Sequence, residues 1–232
     1  MKIGIFGDSF AMNHPDNITD SWVDILRQKF TTTNWASPGT NLFYSMVAFK
    51  NNQHAYDKII FVVTKPGRLF LRHDEIYESD DEQKVASLSM AEYLYHKTLK
   101  ESNGYKKEIK SKIYKTAIDY FMYIQDEGYE RYIHNLMIND ILTIRPDAIL
   151  IPTVKDSLEN YHSDVMADIT IKEDVAFNYK PDIYADDIRH CHMTAENNAI
   201  FAGKVNKWLN GEKVDINLDD FVTPTNKEFY IK

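Results

Sequence analysis

Ser9, the acid pair Asp186-Asp187 and the histidines His190 and His192 are residue types that together can cleave an acyl bond. In chain order they run serine, acid, histidine, each where a strand pattern meets a helix pattern. That order suits a nucleophile, an orienting carboxylate and a base. Ser9 closes Gly7-Asp8-Ser9, directly after the apolar run Ile3-Gly4-Ile5-Phe6. In a parallel sheet the carboxyl ends of the strands hold the ligand crevice. A serine there, at a helix start, has backbone N–H groups aimed at what its hydroxyl attacks. Asp and Ser also cap ordinary turns, so Gly-Asp-Ser alone is not diagnostic. Three further features add to it. Gly39, in Ser37-Pro38-Gly39-Thr40, offers a bare backbone N–H at the end of a second strand. The buried run from Asp57 to Thr64 stops at Pro66-Gly67 with Arg68 next, and Asp186 to Thr194 leads directly into a last helix.

The elements that must position these residues are legible as alternating patterns. Lys2 to Phe6 reads as a strand. A helix follows from Thr19, with Thr19, Asp20 and Ser21 as cap candidates and Trp22, Ile25, Leu26 and Phe30 at helical spacing. Asn34 to Ser37 reads as a short strand. The helix predicted over 40–50 places Leu42, Phe43, Met46 and Val47 on one face. Ile59 to Val63 is the clearest buried strand, and Ala148 to Ile151 resumes the pattern up to Pro152. A helix over 194–209 carries Ile200, Phe201, Val205 and Trp208 on one side and ends at Gly211. Short continuous apolar strands alternating with helices predict an α/β fold with a mostly parallel sheet. The texture changes over 79–144, where polar, Tyr-rich helical stretches (90–101, 106–125 and 129–142) predict a helical insertion serving as lid or partner surface. The tail 212–232 reads as a C-terminal arm, and 1–232 as one domain.

Composition narrows the classes. The 232 residues are 44% hydrophobic and 27% charged, with 8 Gly and 7 Pro, which excludes collagen-like and disordered chains. A net charge of −8, with no basic run longer than two, argues against nucleic acid and anionic membranes as partners. No apolar run approaches the ~20 residues of a membrane helix. Met1-Lys2 leads straight into a strand without a signal-peptide pattern, so the expected compartment is the cytoplasm; a virion protein or one released by lysis would read the same. The single cysteine, Cys191, forms no internal disulfide and belongs to no Cys cluster.

With these residues in view, the chain resembles the SGNH (GDSL-type) hydrolase superfamily. Gly7-Asp8-Ser9 resembles the nucleophile block, Gly39 the second-block glycine, and His192-Met193-Thr194 the final block. The matching pieces span the first forty residues, the strand at 57–64 and the stretch 184–209; residues 79–144 have no counterpart. The resemblance implies a flavodoxin-like three-layer α/β/α sandwich and hydrolysis of an ester, often an acetyl ester on a sugar or a lipid acyl ester, without cofactor. A G-x-S-x-G elbow is the other reading of 7–11, but that elbow follows several strands, and only one precedes Ser9.

Two departures from the family pattern stand. The third block's Gly-x-Asn-Asp is replaced by Thr64-Lys65-Pro66-Gly67-Arg68, so the Asn that donates to the oxyanion is missing. Loss of one such donor costs about 100- to 1,000-fold in rate. Thr64 or Arg68 substitutes for it, or the activity is weak or absent; Arg68 alternatively grips a carboxylate or phosphate of the substrate. The family's acid stands three residues before the base, which in the His192 register is Arg189. The expected triad is therefore Ser9, His192 and Asp187, with His190 as the alternative base and Asp186 as the alternative acid.

Competing readings of the same residues remain. His190-x-His192 with Asp186 and Asp187 has the form of a metal pair, without an obvious third histidine, so no metal is expected. Cys191 points away from its neighbours in extended chain and reads as a small buried residue. Tyr93, Tyr95, Tyr105, Tyr114, Tyr120, Tyr123, Tyr129 and Tyr132 either line a sugar site or pack helices together, with packing the plainer account. His73 is a further residue able to face the pocket. The two functional expectations are a serine esterase acting on a small-molecule or carbohydrate ester, and a catalytically inactive binding module on the same fold. A homo-oligomer or larger assembly through 79–144 is the expected partner arrangement.

Overall fold

The structure, a computed structural model, describes residues 1–12, 21–37, 40–70, 84–85, 88–100, 104–152, 193, 195–212, 214 and 221. Its centre is a four-stranded, all-parallel sheet of β1 (Lys2–Phe6), β2 (Thr31–Asn34), β3 (Lys58–Val63) and β6 (Ile149–Pro152), in the order β2-β1-β3-β6. In the registers, Ile3 faces Thr32, Ile5 faces Ile60, and Ile60 faces Ile149. A separate two-stranded antiparallel ribbon joins β4 (Leu69–Phe70) to β5 (Lys84–Val85). The α/β class with a parallel sheet is as predicted.

Strand alternation divides the apolar side chains between two cores. Ile3, Ile5, Ile60, Val62, Ile149 and Ile151 meet Trp22, Val23 and Leu26 of α1 (Trp22–Arg27) and Phe201, Ala202 and Val205 of α6 (Ala195–Leu209). On the other face Phe6, Ile59, Phe61, Val63 and Leu150 meet Leu42, Met46 and Phe49 of α2 (Leu42–Asn52) and Ile138 and Ile141 of α5 (Glu127–Ile144). Helix layers on both faces explain why the strands read as unbroken apolar runs. Each fully buried large side chain contributes about 1.5–3 kcal/mol. Phe6, Phe49 and Phe61 pack edge-to-face or stacked within 5.6–6.2 Å.

Local chemistry sets the helix starts. Ser21 caps α1 in a capping box, its hydroxyl accepting from the Asp24 amide while the Asp24 carboxylate accepts from the Ser21 amide. Asn41 caps α2 by accepting from the Tyr44 amide. Two predicted details shift. The second strand is Thr31–Asn34 rather than 34–37, because the β-branched threonine run pairs with β1. Its hydrogen bonding nevertheless continues, with Trp35 and Ser37 amides donating to Ile5 and Gly7 carbonyls at 2.7 and 3.1 Å. On α2 the buried face is Leu42, Ser45, Met46 and Phe49; Phe43 and Val47 are exposed.

The stretch read as one helical insertion divides by its packing. Helix α5 lies in a sheet-covering layer, whereas α3 (Leu88–Leu99) and α4 (Tyr105–Tyr123) form a core of their own around Ala91, Leu94, Tyr114, Ala117 and Ile118. The tyrosines do not all pack as the plainer account expects: Tyr114 is buried, but Tyr93, Tyr105, Tyr123, Tyr129 and Tyr132 are exposed. Among the described residues, no helix is long and apolar enough to cross a membrane.

Candidate active site

The candidate site stands at the carboxyl ends of β1 and β3. β1 ends at Phe6, and Gly7 follows with φ +150°. A side chain at this position would place a Cβ 2.5 Å from Val62 Cβ and 2.8 Å from the Val62 carbonyl, so only glycine fits. The Gly7 carbonyl accepts from the Ser45 hydroxyl at 3.1 Å, the Ser37 amide at 3.1 Å and the Thr40 hydroxyl at 3.4 Å. These bonds draw β1, the end of β2 and the start of α2 together at one point.

Ser9 opens the next element, a 3-10 turn over Ser9–Ala11. Asp8 caps it, Oδ1 accepting from the Phe10 amide at 3.0 Å. The turn's carbonyls are all engaged. Ser9 accepts from the Met12 amide at 3.1 Å, Phe10 from the Trp22 indole N–H at 2.9 Å, and Ala11 from the Asn34 side-chain amide at 2.6 Å. Phe10 and Ala11 are buried in the α1–α6 core, so the serine's backbone is anchored on both sides. A site held by saturated hydrogen bonds and a packed core needs little reorganisation when charge develops nearby.

Arg68 enters from the turn after β3. Its Nη1 donates to Asp8 Oδ2 at 3.1 Å and to the Thr40 carbonyl at 3.3 Å, while the Arg68 carbonyl accepts from the Asn41 side-chain amide at 3.3 Å. The Asp8 side chain is 3% exposed and that of Arg68 18%. A carboxylate this buried requires a cation or several donors to remain charged at moderate cost. The turn itself uses Gly67 at φ +79°, and the Gly67 carbonyl accepts from the Gln125 side chain, at the end of α4, at 3.4 Å.

Thr64 is the third feature. It stands one residue after β3 and, like Ser9 on β1, three residues past the paired Phe6 and Phe61. Thr64 is buried, and among the described residues its hydroxyl has no hydrogen-bond partner. Such a group costs about 1–3 kcal/mol to leave unpaired, and in a native fold it asks for an explanation.

Of the residues singled out from the sequence, Ser9, Thr64 and Arg68 are thus at the carboxyl end of the sheet. Gly39, Asp186, Asp187, His190, Cys191 and His192 lie outside the described residues, as do His73 and most of 212–232. Met193, the residue after His192, is buried in the same core as Phe10 and Ala11, and its carbonyl accepts from Asn198 at 3.1 Å. Asn198 also accepts from the Trp22 amide at 3.0 Å, tying the entry to α6 to the start of α1. The Asp8–Arg68 pair and the Ser45 bond to Gly7 were not anticipated. Their partners lie 60 and 38 residues apart, and no local pattern joins them. Among the described residues, no group of three or more metal-ligating side chains comes together. No protein-family model matches the chain, and no curated protein matches it.

Proposed function

We propose that this protein is a serine ester hydrolase. The observation that carries the reading is Ser9, at the start of a rigidly bonded 3-10 turn on the carboxyl end of an interior parallel strand. In this reading the Ser9 hydroxyl attacks an acyl carbonyl while His192 takes its proton, and later returns it to the leaving alcohol. Asp187 orients the imidazole; His190 and Asp186 are the alternatives for these two roles. The amides of Ser9 and Gly39 donate to the oxyanion, and the unpaired Thr64 hydroxyl supplies the donor that the family's Asn would give. Arg68, whose Nη1 is bound to Asp8 and Thr40, serves in this reading as a substrate-binding group. No cofactor enters this chemistry. An O-acetyl or other short acyl ester on a small molecule or carbohydrate is the proposed substrate class, and the cytoplasm the proposed compartment.

The test is fluorophosphonate labelling together with hydrolysis of a 4-nitrophenyl ester series. Labelling and turnover should vanish in Ser9→Ala and His192→Ala. In Thr64→Val turnover should fall by about 100-fold or more, while stability is unchanged or raised because a buried unpaired hydroxyl is removed. A folded wild-type protein that neither labels nor turns over would replace this reading with a binding module on the same fold, which the missing Asn favours.

A further inference from the structure

The geometry points to a selective anion site at Arg68: the substrate carries, beside its ester, a carboxylate or phosphate that Arg68 grips. This rests on the esterase reading for its chemistry, but the anion site itself does not require turnover. A guanidinium presents five N–H donors in a planar fork. Both side-chain bonds of Arg68 leave from Nη1, to Asp8 Oδ2 and to the Thr40 carbonyl. Among the described residues Nε and Nη2 have no partner. Those two atoms form the side-on edge of the fork, which matches two oxygens of one carboxylate or phosphate.

The remaining observations concern placement and charge. Asp8 and Thr40 hold the guanidinium in one orientation, so little side-chain entropy remains to be lost on binding. The Arg68 side chain is 18% exposed, so it is mostly removed from water while part of it still meets solvent. Its anchor, Asp8, directly precedes Ser9, which puts the Arg68 contact at the same end of β1 as the attacking hydroxyl. The protein carries a net charge of −8, and its general field repels anionic substrates. Recognition of one therefore needs a dedicated, preorganised cation, which Arg68 supplies.

The experiment compares 4-nitrophenyl hydrogen succinate with 4-nitrophenyl butyrate, reading the ratio of the two kcat/KM values, in wild type, R68Q and R68K. Titration calorimetry with succinate and with inorganic phosphate, on the same three proteins, gives a readout independent of turnover. Wild type should favour the succinate ester by about 10- to 100-fold, the range of a charge-assisted bidentate contact. R68Q should collapse that ratio, and R68K, which keeps the charge but loses the fork, should retain only part of it. Which of succinate and phosphate binds more tightly separates a carboxylate from a phosphate substrate. Turnover of both esters with no preference in wild type, or a preference that survives in R68Q and R68K, would overturn the proposal while leaving the esterase reading intact. Absent turnover with succinate or phosphate binding lost in R68Q would uphold the anion site and remove the esterase. Absent turnover with no anion binding to wild type would overturn the proposal.

Discussion

The Asp8–Arg68 pair makes a quantitative prediction about the fold. In R68Q, Asp8 is left with a 3% exposed side chain and the Phe10 amide as its remaining described donor. Breaking a buried ion pair from one side costs about 3–5 kcal/mol. The 18% exposure of Arg68 admits some water, so the expected loss is about 2–4 kcal/mol. D8N keeps an oxygen to cap the 3-10 turn and strands the more exposed partner, so it should cost less, about 1–2 kcal/mol. If both losses arise from the one 3.1 Å contact, the double variant D8N/R68Q should be less damaged than the sum by about 1.5–3 kcal/mol. Urea unfolding of the four proteins at pH 7, with the slope constrained to be common, measures this coupling. Losses that add to within about 0.5 kcal/mol would show that the two groups do not act as a unit. The pair would then not pin the ends of β1 and β3 together.

Other outcomes follow from the same geometry. Gly7→Ala places a Cβ against Val62 at a φ disfavoured for side chains, and should cost about 3 kcal/mol or more, lowering Tm by about 6–12 °C in calorimetry. Burial, then its hydrogen bond to Glu130, pushes the Tyr120 hydroxyl up to about 12, so its contribution to stability is complete below about 10 and is lost as pH rises through about 12. The difference between wild-type and Tyr120→Phe absorbance titrations should therefore have its midpoint near 12 rather than near 10. The hydrogen bond from Arg145 holds Asp147 below the ordinary carboxylate value. Its stabilisation is thus present above that ordinary value and disappears as pH falls through the lowered one. Asp147→Asn should be modestly less stable than wild type at pH 6, with the gap closing in urea melts as pH falls through the lowered value.

Strands β1, β3 and β6, the α/β class and the position of Ser9 were legible in the sequence, because each depends on neighbours in the chain. Ile59 to Val63 must be buried on both faces, since both sets of alternate residues are apolar, and Gly7-Asp8-Ser9 directly after Phe6 must turn at the strand's exit. The limits of that reading are equally physical. Period alone placed Phe43 and Val47 in the core, but the partner of α2 is the Phe6–Phe61 face, which selects Leu42, Ser45, Met46 and Phe49. One helical texture spans α3 to α5, yet only contact with the sheet separates α5 from the α3–α4 pair. From the sequence Arg68 reads as an oxyanion donor or as a grip on a substrate anion. Its bond to Asp8, 60 residues earlier, follows from β1 and β3 lying side by side, which the strand order decides. The unpaired hydroxyl of Thr64 is likewise a tertiary property, since whether a threonine finds a partner depends on every element around it. Local sequence determined β1, β3 and β6 and which residue stands at the tip of β1; the packing of distant segments decided where β2 runs and which side chains share that tip.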